Sequence, residues 1–545
     1  MEKFELKQKV EEPKKSEQNF YKTPEPNKPK INKDIVVKQS AQVAGASRNH
    51  LNNQHSSGKK YDEVQRTNDP TINTFHSVAQ PNEDQSEGYC KRLHNNRKQT
   101  GSICGGLLLM LVSGLHIGWG IWRTHGWSTH SANMSLLIFS IMTWPIFAIC
   151  GSLIGSALII VLRKDIIYYI TAGTMAVANV IYIIWYNHYA AIVCGRILTS
   201  LAHGTLFITL VTQAGENGSR GVRATIFSTI NCIQYAAIFM SVQINAILAG
   251  DFSSERIIGG LALAFVLASV ICTITLNIET VPHLLWKNER LIAMDNMKRL
   301  RDVTIESPQM TREMAEMETM VLQDKQDNRN VFVDGNVKPL LLILIIRLMA
   351  ALTNNFLLNI ILIGSCELIL NEPEYASSMI IAARLAMSVV QIFYADVVPR
   401  KIQIFVSAAL AGVLLIGLGV ILNVVTITSS INYFVPSLFA MHFQVLCGLG
   451  IEQMANVYLS EAFSTAKKPW SLSFVVGIEH VFHLFMIGMA FTSVSSAGLY
   501  ALLFVSGGFL IFMGAVLMFL LPETKGMTLK EARDAFRKNE IFNLF

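Results

Sequence analysis

Charged residues are scarce in this sequence. Asp, Glu, Lys and Arg supply only 15% of its 545 residues, whereas hydrophobic residues supply 51%, and the mean hydropathy is +0.38. Soluble globular domains have about a quarter of their residues charged, so the composition excludes an ordinary soluble protein. The formal net charge of +6 does not indicate a nucleic-acid partner, because the basic residues belong to a polar N-terminal segment and to short loops.

Signals for several other classes of protein are also missing. The N-terminal stretch MEKFELKQKVEEPKK has no apolar run like that of a secretory signal. Most of the eight cysteines lie in apolar runs and show no metal-ligand spacing, so we expect neither a disulfide framework nor a metal site. No nucleophile–base pattern or phosphate-binding loop stands out. We therefore predict neither an enzyme nor a cofactor.

Residues 1–99 are rich in Asn, Gln, Lys, Pro and Ser and poor in large apolar side chains. Such a segment cannot bury enough surface to offset its ordering entropy, so it is predicted to be a disordered cytosolic tail. The end of this segment, from Lys91 to Lys98, is basic and directly precedes the first apolar run. It is suited either to binding anionic lipid or to acting as a solvated flank that sets the orientation of the chain.

Apolar stretches of about 20 residues, each long enough to cross a hydrocarbon core of about 30 Å, recur from residue 103 onward. The predicted spans are 103–122, 134–161, 166–186, 189–212, 224–248, 257–277, 339–364, 376–397, 402–424, 433–458, 470–493 and 498–521. They form two groups of six on either side of a hydrophilic segment. We predict an all-α membrane protein with two six-helix bundles.

The basic residues of the loops are unevenly distributed. Alternate loops, on the same side as both termini, contain Arg163-Lys164, Arg220 with Arg223, Arg400-Lys401 and Lys467-Lys468. Three of the opposite loops (186–188, 425–431 and 493–497) contain no Lys or Arg. The positive-inside rule then places both termini and the central segment in the cytosol. The basic residues also recur at corresponding positions of the two halves, as expected for two related bundles with a substrate path between them.

These features predict five regions. They are the tail 1–99, an N-terminal bundle 100–278, a cytosolic helical linker 279–338, a C-terminal bundle 339–521 and a cytosolic C-terminal tail 522–545. In the linker we predict amphipathic helices over 282–302 and 309–323. Met310, Met314, Met317 and Val321 lie at helical spacing in the second helix, which is more typical of a packing surface than of a binding site.

Several short motifs resemble those of one family. The strongest is Pro522-Glu523-Thr524-Lys525-Gly526, which reads PETKG; the others are Gly195-Arg196 with Arg220-Gly221, the segment 396–401 and the segment 456–461. Together with the twelve spans they resemble the sugar porter (glucose-transporter-like) family of the major facilitator superfamily, of which this chain would be a divergent member. The resemblance covers about residues 100–535. It implies transport by alternating access.

The resemblance also implies a set of gating charges. In the family, basic residues of the inner loops pair with acidic residues at the inner helix ends and hold the bundles together in the outward-open state. The corresponding residues are Arg163, Arg220, Asp396, Arg400, Glu461, Lys468 and Glu523. The alternative is that these charges only anchor the helix ends at the membrane interface.

The sequence departs from the family where a sugar would bind. The helix-7 segment 350–356 reads AALTNNF where the family usually has QQ-x-S-G-x-N, and Ser228 occupies the helix-5 Gln position. Because a polyol that leaves water needs its hydroxyls hydrogen-bonded, other polar groups must replace these. The candidate substrate-binding residues are Ser228, Asn231, Gln234, Thr353, Asn354, Asn355, Gln453, Asn456 and Glu479.

Several charged residues lie inside predicted spans, where an unpaired charge costs at least about 2.5 kcal/mol. Among them are Arg347, Arg384, Glu452 and Glu479. We predict two ion pairs, Arg384 with Glu479 and Arg347 with Glu452. The pairs serve either charge compensation or recognition of a polar or charged substrate, with Glu479 as a candidate for proton coupling. The intramembrane residues His116, His480 and His483 are suited to hydrogen-bonded packing or to a proton relay.

The sequence thus predicts a multi-pass transporter in the plasma membrane, with the lipid bilayer and a small-molecule solute as its partners. It would move a hexose or a similar small polar solute. Two alternatives stay open. One is a transporter of a non-sugar organic solute, with or without proton coupling. The other is a transport-incompetent relative that acts as a sensor or scaffold through its N-terminal tail.

Overall fold

The computed structural model describes residues 91, 94–125, 134–248, 254–326, 330–333, 335–367, 369–370, 372–424, 430–491 and 496–538. The chain divides into two units, Met1–Val78 and Ala79–Phe545, and every described residue belongs to the second. The predicted disordered tail, residues 1–99, therefore lies outside the described residues except for 91 and 94–99.

The apolar runs of the first half form long helices that follow a short one, α1 (Arg97–Gly101). They are α2 (Cys104–His125), α3 (Met134–Val161), α4 (Lys164–Ile184), α5 (Tyr189–Asn217), α6 (Arg223–Ile247) and α7 (Ser254–Leu276). Small residues allow close packing between them. A Cβ on Gly204 of α5 would lie 2.2 Å from the carbonyl oxygen of Ala148 in α3, so the two backbones touch at this point.

Three helices follow in the hydrophilic segment: α8 (Val281–Trp286), α9 (Arg290–Arg301) and α10 (Pro308–Gln326). The predicted helix 282–302 is split, because Asn288 adopts a left-handed conformation with φ 65° between α8 and α9. The methionine stripe of α10 packs into a small hydrophobic core with α8 and α9, with Met310 and Met314 buried and Met317 against them. The prediction that this stripe is a packing surface is confirmed.

The second half forms another series of long helices and a short C-terminal one. They are α11 (Val337–Thr353), α12 (Phe356–Glu367), α13 (Ala376–Tyr394), α14 (Arg400–Val424), α15 (Ser430–Cys447), α16 (Ile451–Glu461), α17 (Lys468–Phe491), α18 (Ser496–Leu520) and α19 (Leu529–Arg537). Two predicted spans are broken in the middle, at Asn354-Asn355 between α11 and α12 and at residues 448–450 between α15 and α16.

Twelve helical segments of the described residues are long and apolar enough to cross a membrane, if each broken helix is counted once. The prediction of an all-α protein with twelve spans in two groups of six is confirmed. The groups meet where α3 packs on α17 and where α6 packs on α13. The helices α8–α10 lie at one end of both groups, which we call the linker end.

Candidate functional site

A cavity of about 200 Å³ lies between the two groups of helices, and both line it. Its polar and charged lining residues are Arg196, His203, Gln234, Arg347, Asn354, Asn359, Glu452, Asn456, Glu479, His480 and His483. Rings and aliphatic side chains complete the wall, among them Trp144 and Phe207. A concave apolar wall with a few polar groups pointing inward is typical of a small-molecule site.

Broken helices border this cavity. Asn354, at the break between α11 and α12, lines the cavity and donates a hydrogen bond to the hydroxyl of Tyr235 on α6 (3.1 Å). Glu452 lies in the first turn of α16, just after the other break. A helix N-terminus stabilises a carboxylate, and discontinuous helices of this kind form the binding sites of many transporters.

Arg347 and Glu479 form one buried ion pair in the cavity wall. Nη2 of Arg347 lies 2.5 Å from the Glu479 carboxylate, and Nη1 donates to the side-chain oxygen of Asn456 at 2.5 Å. The guanidinium also lies over the ring of Phe207, 5.3 Å from its centre. This pair connects α11 with α17 inside the C-terminal group.

Arg384 and Glu452 form the second pair, at 2.8 Å. The hydroxyl of Tyr235 donates to the same carboxylate oxygen, also at 2.8 Å, and the Arg384 guanidinium lies 4.8 Å from the centre of the Tyr235 ring. Because Tyr235 belongs to α6, this cluster joins the two groups of helices at the cavity.

The predicted partners of these four charges were wrong. The sequence predicted Arg384 with Glu479 and Arg347 with Glu452, whereas the structure pairs Arg347 with Glu479 and Arg384 with Glu452. The reason is the arrangement of the helices. Helix α11 packs directly against α17, and the break before α16 brings Glu452 within reach of α13.

The nine predicted substrate-binding residues separate into two sets. Four of them line the cavity: Gln234, Asn354, Asn456 and Glu479. The other five are buried away from its wall: Ser228, Asn231, Thr353, Asn355 and Gln453.

Local hydrogen bonds explain some of the second set. Asn355 donates to the carbonyl of Leu352 and accepts from the amide of Leu358, so it caps the broken helix. Thr353 donates to the carbonyl of Ala350. In the conformation described, these five residues do not line the cavity, and Asn355 and Thr353 are engaged at the helix break.

Arg196 is a cavity residue that the sequence marked only as part of a motif. Its Nε and Nη1 donate to the main-chain oxygens of Ser140 and His116, both at 2.9 Å. Its guanidinium lies between two indole rings, 5.1 Å from the centre of Trp119 and 5.2 Å from that of Trp144. The ring of His203, one of the residues the prediction missed, also stacks near Trp144 at 5.3 Å.

The three histidines noted in the sequence differ in position. His480 and His483 line the cavity, and their ring centres lie 6.1 Å apart. His116 is fully buried behind the wall, where its Nε2 lies 3.0 Å from the side-chain oxygen of Asn179. In the part of the chain that the structure describes, no three His, Cys, Asp or Glu side chains form a group that could hold a metal ion.

A network of buried charges joins the two groups of helices at the linker end. The carboxylate of Glu461, at the end of α16, accepts from Arg223 of α6 at 2.5 Å and from Arg400 of α14 at 2.7 Å. Arg223 belongs to the N-terminal group and Glu461 to the C-terminal group. The contact therefore joins the two groups between the cavity and the linker end.

Two of the predicted gating carboxylates lie at helix N-termini, where backbone amides favour negative charge. Asp396 accepts from the amides of Ala224 (3.2 Å) and Thr225 (2.8 Å), at the start of α6 in the other group. Burial raises the pKa of Asp396 above its ordinary value, an effect that Arg400 partly offsets. Glu523 accepts from the amide of Arg400, at the start of α14.

A second network at the linker end is centred on Lys164, whose ammonium lies 3.0 Å from Glu279 and 3.6 Å from Glu216. Burial alone would raise the pKa of Glu279, but the charge of Lys164 lowers it to about 2. Glu216 also lies 3.4 Å from Lys468 of α17, which makes a further contact between the two groups.

Two predicted gating residues are not part of these networks. Arg163 precedes α4 and pairs instead with the nearby Asp165, at 3.3 Å with 56% of its own side chain exposed. Arg220 lies in the loop before α6. Lys164 and Arg223, one residue and three residues further on, make the contacts expected of Arg163 and Arg220, because they are buried at the starts of α4 and α6.

Comparison with known proteins agrees with this architecture. The model of the family "Sugar (and other) transporter" matches residues 85–536. No curated protein matches the sequence.

Solved structures match the fold. The proton:xylose symporter XylE bound to 6-bromo-6-deoxy-D-glucose has a TM-score of 0.68 at 16% identity, with 81% of this chain and 99% of that chain covered. A double-tryptophan variant of XylE has a TM-score of 0.67 at 16% identity and the same coverage. XylE of E. coli in a partially occluded inward-open conformation has a TM-score of 0.57 at 15% identity, with 80% and 100% covered.

At these identities the structures establish the fold alone, and the family follows from the match over most of the chain. Together with the twelve apolar helices they identify a multi-pass membrane protein. The chain belongs to the sugar (and other) transporter family and is a membrane transporter of the sugar porter type.

Proposed function

We propose that this protein moves a hexose or a similar small hydroxylated solute through the central cavity by alternating access. The observation that carries the proposal is the cavity itself, which both groups of helices line and which ion pairs between the groups close at the linker end. Opening these contacts while closing the far end would expose the same cavity to the other side of the membrane.

The cavity offers hydrogen-bonding groups on both of its sides. Gln234 supplies an amide from the N-terminal group, and Asn354, Asn359 and Asn456 supply amides from the C-terminal group. A bound polyol would therefore contact both groups at once. The cavity volume of about 200 Å³ suits a small solute, because sites for drug-sized ligands are about 300–1,000 Å³.

The orientation of the chain belongs to the same proposal. The basic residues Lys164, Arg223, Arg400 and Lys468 cluster at the linker end, and the positive-inside rule would place this end, with both termini, in the cytosol of the plasma membrane. The structure then corresponds to a transporter closed toward the cytosol. The five regions keep their proposed roles: tail 1–99, N-terminal bundle 100–278, linker 279–338, C-terminal bundle 339–521 and tail 522–545. Anionic lipid is a further proposed partner, bound by the basic segment 91–98.

In this proposal the gating residues are those that cross between the groups. Arg223, Glu461 and Arg400 form the centre of the gate, Asp396 holds the start of α6, and Glu216 with Lys468 forms its second contact. Arg163 and Arg220 would act only as interfacial charges. Each ion pair is buried, so breaking it requires that water reach both partners when the gate opens.

Uptake of labelled glucose, other sugars and non-sugar polar solutes into proteoliposomes, at two pH values, tests the proposal. We expect saturable uptake of a hydroxylated solute. Gln234→Ala and Asn359→Ala should each raise the KM for this uptake by a few-fold to about tenfold, since each change removes one hydrogen bond to the solute. Thr229→Ala is the matched control, because Thr229 lies on α6 outside the cavity and donates only to the carbonyl of Thr225.

The same experiment separates the alternatives. Uptake restricted to a non-sugar solute, or uptake driven by a pH gradient, would replace the sugar facilitator with the second hypothesis. Absence of uptake of every solute by protein that is folded and correctly reconstituted would exclude transport and leave the sensor or scaffold.

A further inference from the structure

The cavity wall contains a buried cation, Arg196, that pairs with none of the described carboxylates. Only 4% of the Arg196 surface is exposed. Among the residues that the structure describes, no carboxylate forms an ion pair with Arg196, whereas Arg347 pairs with Glu479 and Arg384 pairs with Glu452. The carboxylate groups near the cavity are therefore each matched to another arginine, and the charge of Arg196 is not compensated.

The contacts of Arg196 stabilise its guanidinium without cancelling its charge. Two carbonyl oxygens and two indole rings surround it. Cation–π contacts and hydrogen bonds to neutral acceptors lower the free energy of a buried cation, but they add no negative charge. In a cavity of low dielectric constant, the remaining positive potential favours an anion.

One nitrogen of this guanidinium is available to a ligand. Nε and Nη1 donate to the carbonyls, Nη2 donates to neither of them, and the hydroxyl of Tyr182 also lies close to the guanidinium. Nη2 lies beside Gly120, which lines the cavity, and a Cβ on Gly120 would be only 2.6 Å away from it. Because Gly120 has no side chain, the guanidinium of Arg196 can lie against α2 at this point of the cavity wall.

His203 adds a second polar group that lacks a partner. It is 7% exposed, it lies two helical turns after Arg196 on α5, and it lines the same cavity. Its Nδ1 is buried and finds no hydrogen-bond partner among the described residues. Since buried polar atoms are almost always hydrogen-bonded, Arg196 and His203 both indicate a ligand group that would complete this side of the cavity.

We propose that the cavity takes a hydroxylated monocarboxylate, with the substrate carboxylate bound at Nη2 of Arg196 beside Gly120 and its hydroxyls bound by the amides of the opposite wall. The inference rests on the proposed transport function and narrows its substrate class from neutral sugars to sugar acids. One uncompensated cation matches one negative charge. A phosphate ester, with nearly two charges at neutral pH, would exceed it.

Pairs of probes that differ only in charge test this assignment. The purified full-length protein in nanodiscs is titrated by calorimetry with D-glucose, D-galactose and D-mannose and with the corresponding uronates. We expect at least one uronate to bind about tenfold to a hundredfold more tightly than its neutral partner, as a hydrogen bond between two charged groups would give. Proteoliposome uptake of the same six compounds is measured in parallel.

Two variants and one control test whether Arg196 causes the preference for the uronate. Arg196→Gln removes the cation, and Gly120→Ala keeps it but would place a Cβ 2.6 Å from Nη2 and so displace the guanidinium; both should abolish the preference for the uronate over its neutral partner. Arg256→Gln is the control, because Arg256 also stacks on an aromatic ring, at 5.7 Å from the centre of Tyr186, but lies outside the cavity. Gly120→Ala retains a readout if Arg196→Gln fails to fold.

The outcomes separate this inference from the function on which it rests. If no uronate binds more tightly than its neutral partner, or if Gly120→Ala leaves the preference intact, the anion site is wrong even when sugars are transported. If a uronate binds through Arg196 but no compound enters the proteoliposomes, the site stands and transport is wrong.

Discussion

The guanidinium of Arg347 donates two hydrogen bonds to one carboxylate oxygen of Glu479, from Nε at 2.8 Å and from Nη2 at 2.5 Å. The two residues are 7% and 9% exposed at their side chains, so the pair lies in the protein interior on the wall of the cavity. It is one of two such pairs that hold the broken helices of the C-terminal group in place.

Reversal of this pair tests its identity. Glu479→Arg alone would place two guanidinium groups together in the interior, and we expect a loss of about 3–5 kcal/mol of stability, as for other broken buried pairs. The double variant Arg347→Glu with Glu479→Arg should recover folded protein, measured as the monodisperse fraction in size-exclusion chromatography and as the melting temperature.

The matched control is the pairing that the sequence first suggested. Arg384→Glu combined with Glu479→Arg should fail to recover folded protein, because Arg384 contacts Glu452 and not Glu479. Recovery by this second double variant, and not by the first, would show that the partners are assigned wrongly.

Gly215 allows the two groups of helices to approach closely at the linker end. A Cβ at this position of α5 would lie 2.6 Å from the Cβ of Ser460 in α16, so Gly215→Ala should hold the two groups apart and favour the state open at this end. A cysteine introduced at the buried Ser464 should then react faster with a maleimide, in a background without reactive native cysteines. Gly173→Ala is the control, because nothing lies within 4 Å of its Cβ. Equal labelling rates in both variants would rule out this contact as part of the gate.

Asn231 lies between the cavity and the gate on α6, 1% exposed, and neither atom of its amide finds a partner among the described residues. A buried amide without hydrogen bonds costs about 1–3 kcal/mol, a penalty that water would remove if the path opened. Asn231→Leu should therefore raise the melting temperature of the closed protein and slow uptake.

Asn179→Leu serves as the control, because the side-chain amide of Asn179 is hydrogen-bonded whereas that of Asn231 is not hydrogen-bonded to any described residue. Asn179 is as deeply buried, but it contacts His116 at 3.0 Å and donates to the carbonyl of Met175 at 2.7 Å, so its replacement should lower the melting temperature. A lower melting temperature for Asn231→Leu as well would mean that Asn231 is satisfied in the closed state.

His283 predicts a dependence of stability on pH. Burial, together with the charge of Lys164, lowers the pKa of His283 from 6.5 to about 4. The unfolded chain therefore binds the proton first, so the contribution of His283 to stability is complete above about pH 6.5 and is lost as the pH falls through 4.

His283→Gln should reduce the fall in melting temperature between pH 7 and pH 4.5. His188→Gln, at an exposed loop position, should leave the fall unchanged, and an equal fall in all three proteins would contradict the assignment.

The local sequence was sufficient to predict the membrane spans and the packing role of the linker methionines. Runs of apolar residues predict transmembrane helices because every backbone polar group must be satisfied within the membrane, whatever the neighbours are. Breaks were not predictable in this way. The backbone at Asn354-Asn355 and at 448–450 leaves the helical path where other helices and side chains supply hydrogen bonds, and this supply depends on the assembled fold.

The sequence predicted several of the residues of the site but not which of them contact each other. The sequence alone determined that several charged residues lie within the spans and that the basic loop residues gather at one side, since both follow from position along the chain. Only the tertiary structure decided that Arg347 pairs with Glu479, that Lys164 and Arg223, and not Arg163 and Arg220, belong to the buried networks at the linker end, and that none of the described carboxylates pairs with Arg196. The physical reason is that a Coulomb interaction depends on distances between helices that are far apart in sequence, and a difference of one residue along a helix turns a side chain by about 100°.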